Sequence, residues 1–179
     1  MFHGWDAFYS LLGTAAGALI SLLFVVMTLS GGGRVGSNSN RGIKVFMTPV
    51  VFHFAVVIAI SATALAPGLP PPLVELAVAI CAVTGLVHMG MVGLQFGRAD
   101  FQASHWSDFW CYVAAPGLVY LAMGATAYAL RVRPDIAVHA LGLVLVILTL
   151  TAIRNAWDLV TWLAPRASSG ASPDAPPQS

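Results

Sequence analysis

Long apolar runs divide the chain, and each is bounded by residues that break or cap helices. They cover Ala7–Leu29, Val45–Ala66, Pro72–Phe96, Phe109–Val132 and Ile136–Leu163. About 20 apolar residues cross the hydrocarbon of a bilayer as a helix, whereas a barrel strand needs about half that. Lipid offers no partner for a free N–H or C=O, so runs of this length predict helices. The joints fit. "SGGGRVGSNSNRG" reads as a flexible polar loop, "PGLPPP" as a tight proline turn and "RVRPD" as a short charged one. Pro49 and Pro116 are expected to kink or start their helices. The expected fold is an all-α, polytopic transmembrane helix bundle of five spans. It forms one domain over residues 1–165, followed by a small, polar, proline-rich tail, 166–179, expected to be disordered.

Composition excludes a water-soluble globule, because only 8 % of the 179 residues are charged. The net charge of +1 and the lack of a basic block argue against a nucleic-acid partner. The start, "MFHGWDAFYSLLG", has no Lys/Arg n-region, and no small-residue cleavage pattern follows at a fitting distance. The first run is therefore expected to stay as a span. Arg34, Arg41, Lys44, Arg98 and Arg166 fall on one side of the predicted topology, with Arg131 and Arg133 on the other. The positive-inside rule gives N-out/C-in. Cys81 and Cys111 fall at different depths, which disfavours a disulfide. No internal repeat of the kind many secondary carriers show is present.

Small residues mark where helices could approach. Gly13, Gly17 and Ser21 form a ladder on the first span, and Gly93 and Gly97 repeat the idea on the third, beside Gly85 and Gly90. They serve packing within the chain, a homo-oligomer or a membrane-protein partner.

Polar residues inside the runs carry the functional candidates. His53 and His88 each lie about 8 residues from the inner end of their spans, roughly 12 Å deep and in one layer. Ionisable groups at such depth mark functional sites. Three roles are open to them: handling protons or small ions, axial ligation of a b-type haem with Gly85 and Gly90 leaving room for the ring, or hydrogen-bonded helix glue. In the last span Thr151, Arg154, Asp158 and Thr161 share a stripe with Asn155 beside it. Arg before Asp at i,i+4 is the weaker order, and Asp near a helix C-terminus opposes the dipole, so the stripe is expected to seek partners on other helices. The alternative is an interfacial helix anchored by Trp157 and Trp162. On the outer side Glu75 and His139 lie at similar depth and could pair or face headgroups. Together these groups would trace a discontinuous polar route.

In "QASHWSDFW", His105 and Asp108 stand at i,i+3, and Ser107 or Asp108 is placed to cap the fourth helix. Gly31–Gly33 lack the Lys-Ser/Thr of a phosphate loop, and no hydrolase or metal motif occurs. No catalytic residue and no metal site is expected, and an enzyme is the least favoured class.

The segments "FYSLLGTAAGALISLLFVVMTL" and "IRNAWDLVTW" resemble those of a group of small, uncharacterised bacterial multi-pass membrane proteins. The resemblance implies a bacterial inner-membrane address and a recurring Arg154, Asn155, Trp157, Asp158 motif, and it implies no activity. The function expected is that of a channel- or transporter-like protein, or a subunit of one, acting on protons or small ions. Haem-based electron transfer and a non-catalytic membrane partner are the alternatives.

Overall fold

A computed structural model of the chain describes residues 2, 4–30, 37–98 and 110–169, with side chains at 2, 4–26, 28, 49–94 and 110–161. Every element among them is helical: α1 (Asp6–Ser30), α2 (Ser37–Leu65), α3 (Pro71–Arg98), a π-helical turn (Trp110–Ala114) running into α4 (Ala115–Val132), and α5 (Pro134–Ser169). Four stretches are long and apolar enough to cross a membrane: Asp6–Val26, Pro71–Leu94, Trp110–Val132 and Pro134–Thr161. A shorter apolar stretch, Pro49–Leu65, lies in α2. These helices are compatible with an integral, multi-pass membrane protein.

Local chemistry sets the joints. Gly68 adopts φ +70°, a left-handed conformation that suits glycine, in the turn after α2. The Pro70 carbonyl then accepts from Leu73 N at 3.0 Å, and Pro71 and Pro72 occupy first-turn positions where a missing N–H costs nothing. Between α4 and α5, Arg133 N donates to the Ala129 carbonyl at 2.7 Å and the Arg133 carbonyl accepts from Ala137 N at 3.0 Å. That turn is so tight that α4 and α5 must run as antiparallel neighbours.

Helix bounds differ from the expected ones at two places. The polar loop is shorter than its composition suggests, because α2 begins at Ser37. Ser37 and Asn38 are residue types that favour helix starts, and a helix once nucleated propagates into the apolar run. Pro49 therefore lies inside α2. At the other end, residues 166–169, expected in the tail, continue α5. The remainder of the tail and the capping segment with His105, Ser107 and Asp108 lie outside the described residues.

Helices α2, α3, α4 and α5 pack in a ring, each against the next, and α5 closes on α2; α1 rests on α2 and α5 from outside. The buried stripe of α5 runs Ala137, Leu141, Leu145, Leu148, Ala152, Asn155 and Leu159, and that of α3 runs Val74, Val78, Ala82, Met89 and Val92. The outward faces are equally apolar, carrying Leu22, Val83, Leu118 and Leu143. A helix bundle that is apolar on both faces suits lipid as its surroundings.

Candidate functional site

The polar centre of the bundle is built on three helices. His53 on α2 is fully buried, and its Nδ1 lies 2.8 Å from the Tyr120 hydroxyl on α4. The two helices stand diagonally in the ring, so this bond crosses its middle. If the phenol donates, its proton and the Nδ1 lone pair are both satisfied and only Nε2–H lacks a partner. The reverse leaves both the phenol proton and the Nε2 lone pair unmatched. The first arrangement wastes less, so His53 is the neutral Nε2–H tautomer.

Gly85 on α3 makes this geometry reachable. The Tyr120 ring lies against its Cα so closely that a Cβ would overlap the ring. Space that sequence reasoning reserved for a haem is thus filled by tyrosine, and the structure offers no slot for a macrocycle beside Gly85. Phe52 completes the cluster. Its ring centroid is 4.5 Å from His88 in a stacked arrangement, 6.2 Å from Tyr120 and 6.3 Å from His53. His88 is half-buried, with a buried Nε2 that has no partner among the described residues. The structure therefore brings both imidazoles against one aromatic ring, His88 stacked on Phe52 and His53 steeply inclined to it.

Arg154 and Asp158 are not part of this cluster. Their stripe turns outward, the side chains are 52 % and 41 % exposed, and they face each other at 3.7 Å. The partners expected for the stripe on other helices are not found among the described residues. Among the described residues Thr151 and Thr161 likewise bond to carbonyls of their own helix, and Trp157 is exposed. Asn155, beside the stripe, is the residue that points in. It is fully buried, its Nδ2 donates to the Cys111 carbonyl at 3.2 Å, and its own carbonyl accepts from the Tyr112 hydroxyl at 3.3 Å. The π turn explains the free acceptor. In an i→i+5 register Cys111 would look to Pro116, which has no N–H to give.

Glu75 and His139 are likewise kept apart. His139 Nδ1 donates to the Asp135 carbonyl at 2.9 Å and the ring sits edge-on to Trp5, while Glu75 is half-buried on α3. No hydrogen bond or ion pair joins them among the described residues. The discontinuous polar route thus reduces to one central cluster. Of the glycine ladders, Gly13 packs on Ser61 and Gly93 on Val113, whereas Gly17 has nothing within 4 Å and Ser21 is exposed. Gly97 lies in α3 beyond the residues whose surroundings are described.

Sequence reasoning missed Tyr120 and Phe52. A hydroxyl-bearing ring four residues after Pro116 is a weak signal, and a phenylalanine in an apolar run is none. Among the described residues no group of three or more His, Cys, Asp and Glu could hold a metal ion. No family model, no curated protein and no solved structure matches the chain.

Proposed function

We propose that the chain is a bacterial inner-membrane protein of five crossings, N-out/C-in, that handles protons or small ions through the layer containing His53 and His88. A single observation carries this reading: two imidazoles on neighbouring helices lie against Phe52, each with a buried Nε2 that has no partner among the described residues. Such groups are expensive in a low-dielectric slab and are found where a guest or proton compensates them. The fifth crossing is supported by α2 itself, which is continuous from Ser37. Its sequence is free of charge from Val45 to Leu65, about 30 Å of helix.

Flux in proteoliposomes tests the function. A pH-gradient signal is expected from the intact protein and is lost in His53→Ala and His88→Ala. It is retained in Asp158→Ala, whose side chain points away from the cluster. A signal indifferent to both histidines overturns the reading. Reporter fusions placed in each joint test the topology, which fails if the amino end and the tail report the same side.

A second reading, a membrane subunit that docks onto another helix, draws on the uncovered Gly17 and exposed Ser21 of α1. Affinity purification from native membranes then yields a stoichiometric partner or a homo-oligomer.

A further inference from the structure

The two histidines of the cluster are not equivalent. His53 has no exposed surface, and its Nδ1 lone pair already accepts the Tyr120 proton. A second proton on Nδ1 would force the phenol to become the acceptor and strand the phenol proton in the core. His88 carries no such commitment. It is half-buried, no described residue bonds to its ring, and one face lies flat on Phe52 at 4.5 Å and 26°. An imidazolium in that place sits on the negative face of an aromatic ring.

We propose that His88 is the proton-binding ring of the cluster, with Phe52 the positioning residue that holds and stabilises its charged form and His53–Tyr120 the neutral brace behind it. This deepens the proton-handling reading and rests on it. Neutral His88 has one N–H and one lone pair. The proton, delivered by water, adds to that lone pair, no other bond changes, and the ring gains a single positive charge. Two charged imidazoles around one phenylalanine would repel, so a single proton is held at a time.

The groups that face His88 favour this assignment. From α2 comes His53, neutral by its bond to Tyr120, and from α4 comes Tyr120 itself. The π turn, which also packs on α3, carries Cys111 and Tyr112, the latter bonded to the Asn155 carbonyl. On α3, Cys81 lies about two turns away and Glu75 further still, about 20 Å along the helix. Among the described residues no carboxylate pairs with the ring, and the Phe52 face is the contact that can stabilise its charge.

The test is ¹⁵N NMR of the histidine rings of the full chain in lipid nanodiscs, between about pH 8 and pH 5, with His53→Gln and His88→Gln for assignment. His88 is expected to show two protonated nitrogens at a pH where His53 keeps its neutral pattern. Phe52→Leu should reduce the doubly protonated share of His88 about two- to fivefold at fixed pH. Phe52→Trp, which keeps an aromatic face, should hold or raise it. The proposal is overturned if His53 charges first, if Phe52→Leu leaves the share unchanged, or if Phe52→Trp lowers it. Should His88 charge first while flux ignores its replacement, the transport reading fails and the site assignment stands.

Discussion

The hydroxyl of Tyr120 meets Nδ1 of His53 at 2.8 Å across 67 residues of sequence, and the contact pins α2 to α4 through the middle of the bundle. Its strength can be isolated. In membrane bundles such side-chain bonds average about 0.6 kcal/mol and rarely exceed about 1.7, because the unfolded chain also finds partners in lipid. A double-mutant cycle of Tyr120→Phe and His53→Phe, read by reversible unfolding in mixed micelles, should give a coupling of about 0.5–1.5 kcal/mol. A coupling of zero would mean that the two groups only happen to be adjacent.

Gly85 and Gly90 offer a sharper contrast, since they are helical glycines on the same helix. Alanine normally improves a helix interior by up to about 1 kcal/mol over glycine. Gly90 has nothing within 4 Å, so Gly90→Ala should be neutral or stabilising. Gly85→Ala places a methyl group in the Tyr120 ring and should cost about 1–3 kcal/mol while breaking the bond to His53. The unfolding midpoints of the two variants should move in opposite directions. Equal shifts would show that α3 does not approach Tyr120 as described.

The contrast between these glycines also shows what the sequence could and could not express. The helices were legible because length and unbroken apolarity suffice to announce them, and the Pro67–Pro72 and Arg131–Asp135 turns fell where breaker residues stand. Which face of each helix turns inward was not legible. Val83 is exposed and Ala82 buried, Leu143 exposed and Leu145 buried, and both members of each pair are apolar. Lipid accepts the same side chains as a protein core, so the periodicity that orients a soluble helix is erased. Depth along the helices put His53 and His88 in one expected layer, and in the structure each ring has Phe52 as a neighbour. Orientation misled in the last span, where Arg154 and Asp158 point out and the neutral Asn155 points in.

A third prediction concerns the N-terminal aromatic group. A Cβ at Gly142 would sit 3.0 Å from the Trp5 ring and 3.3 Å from Phe8, so α5 presents a flat patch on which the start of α1 lies. Gly142→Val should lift Trp5 off that patch and away from His139, whose ring it now meets edge-on at 5.0 Å. In a variant retaining Trp5 as its sole tryptophan, the emission should change and quenching by an aqueous quencher should rise, with loss of about 1–3 kcal/mol in stability. Unchanged quenching would place Trp5 elsewhere.

The last prediction separates Asn155 from its charged neighbours. Asn155 supplies the donor that the Cys111 carbonyl lacks because residue 116 is proline. Its own Oδ1 is buried with no partner among the described residues, so the one side-chain bond it makes there is that donation. Asn155→Leu leaves the carbonyl unsatisfied between α4 and α5, at a cost of about 1–3 kcal/mol. Amide exchange should then quicken within the π turn, Trp110–Ala114, before it quickens elsewhere in α4. Arg154→Ala removes an exposed i,i+4 pair that contributes less than about 0.5 kcal/mol, and should alter neither stability nor exchange in the turn. If Arg154→Ala instead matches Asn155→Leu in both readouts, the outward stripe has a partner on another helix and the inward-facing amide is not the latch.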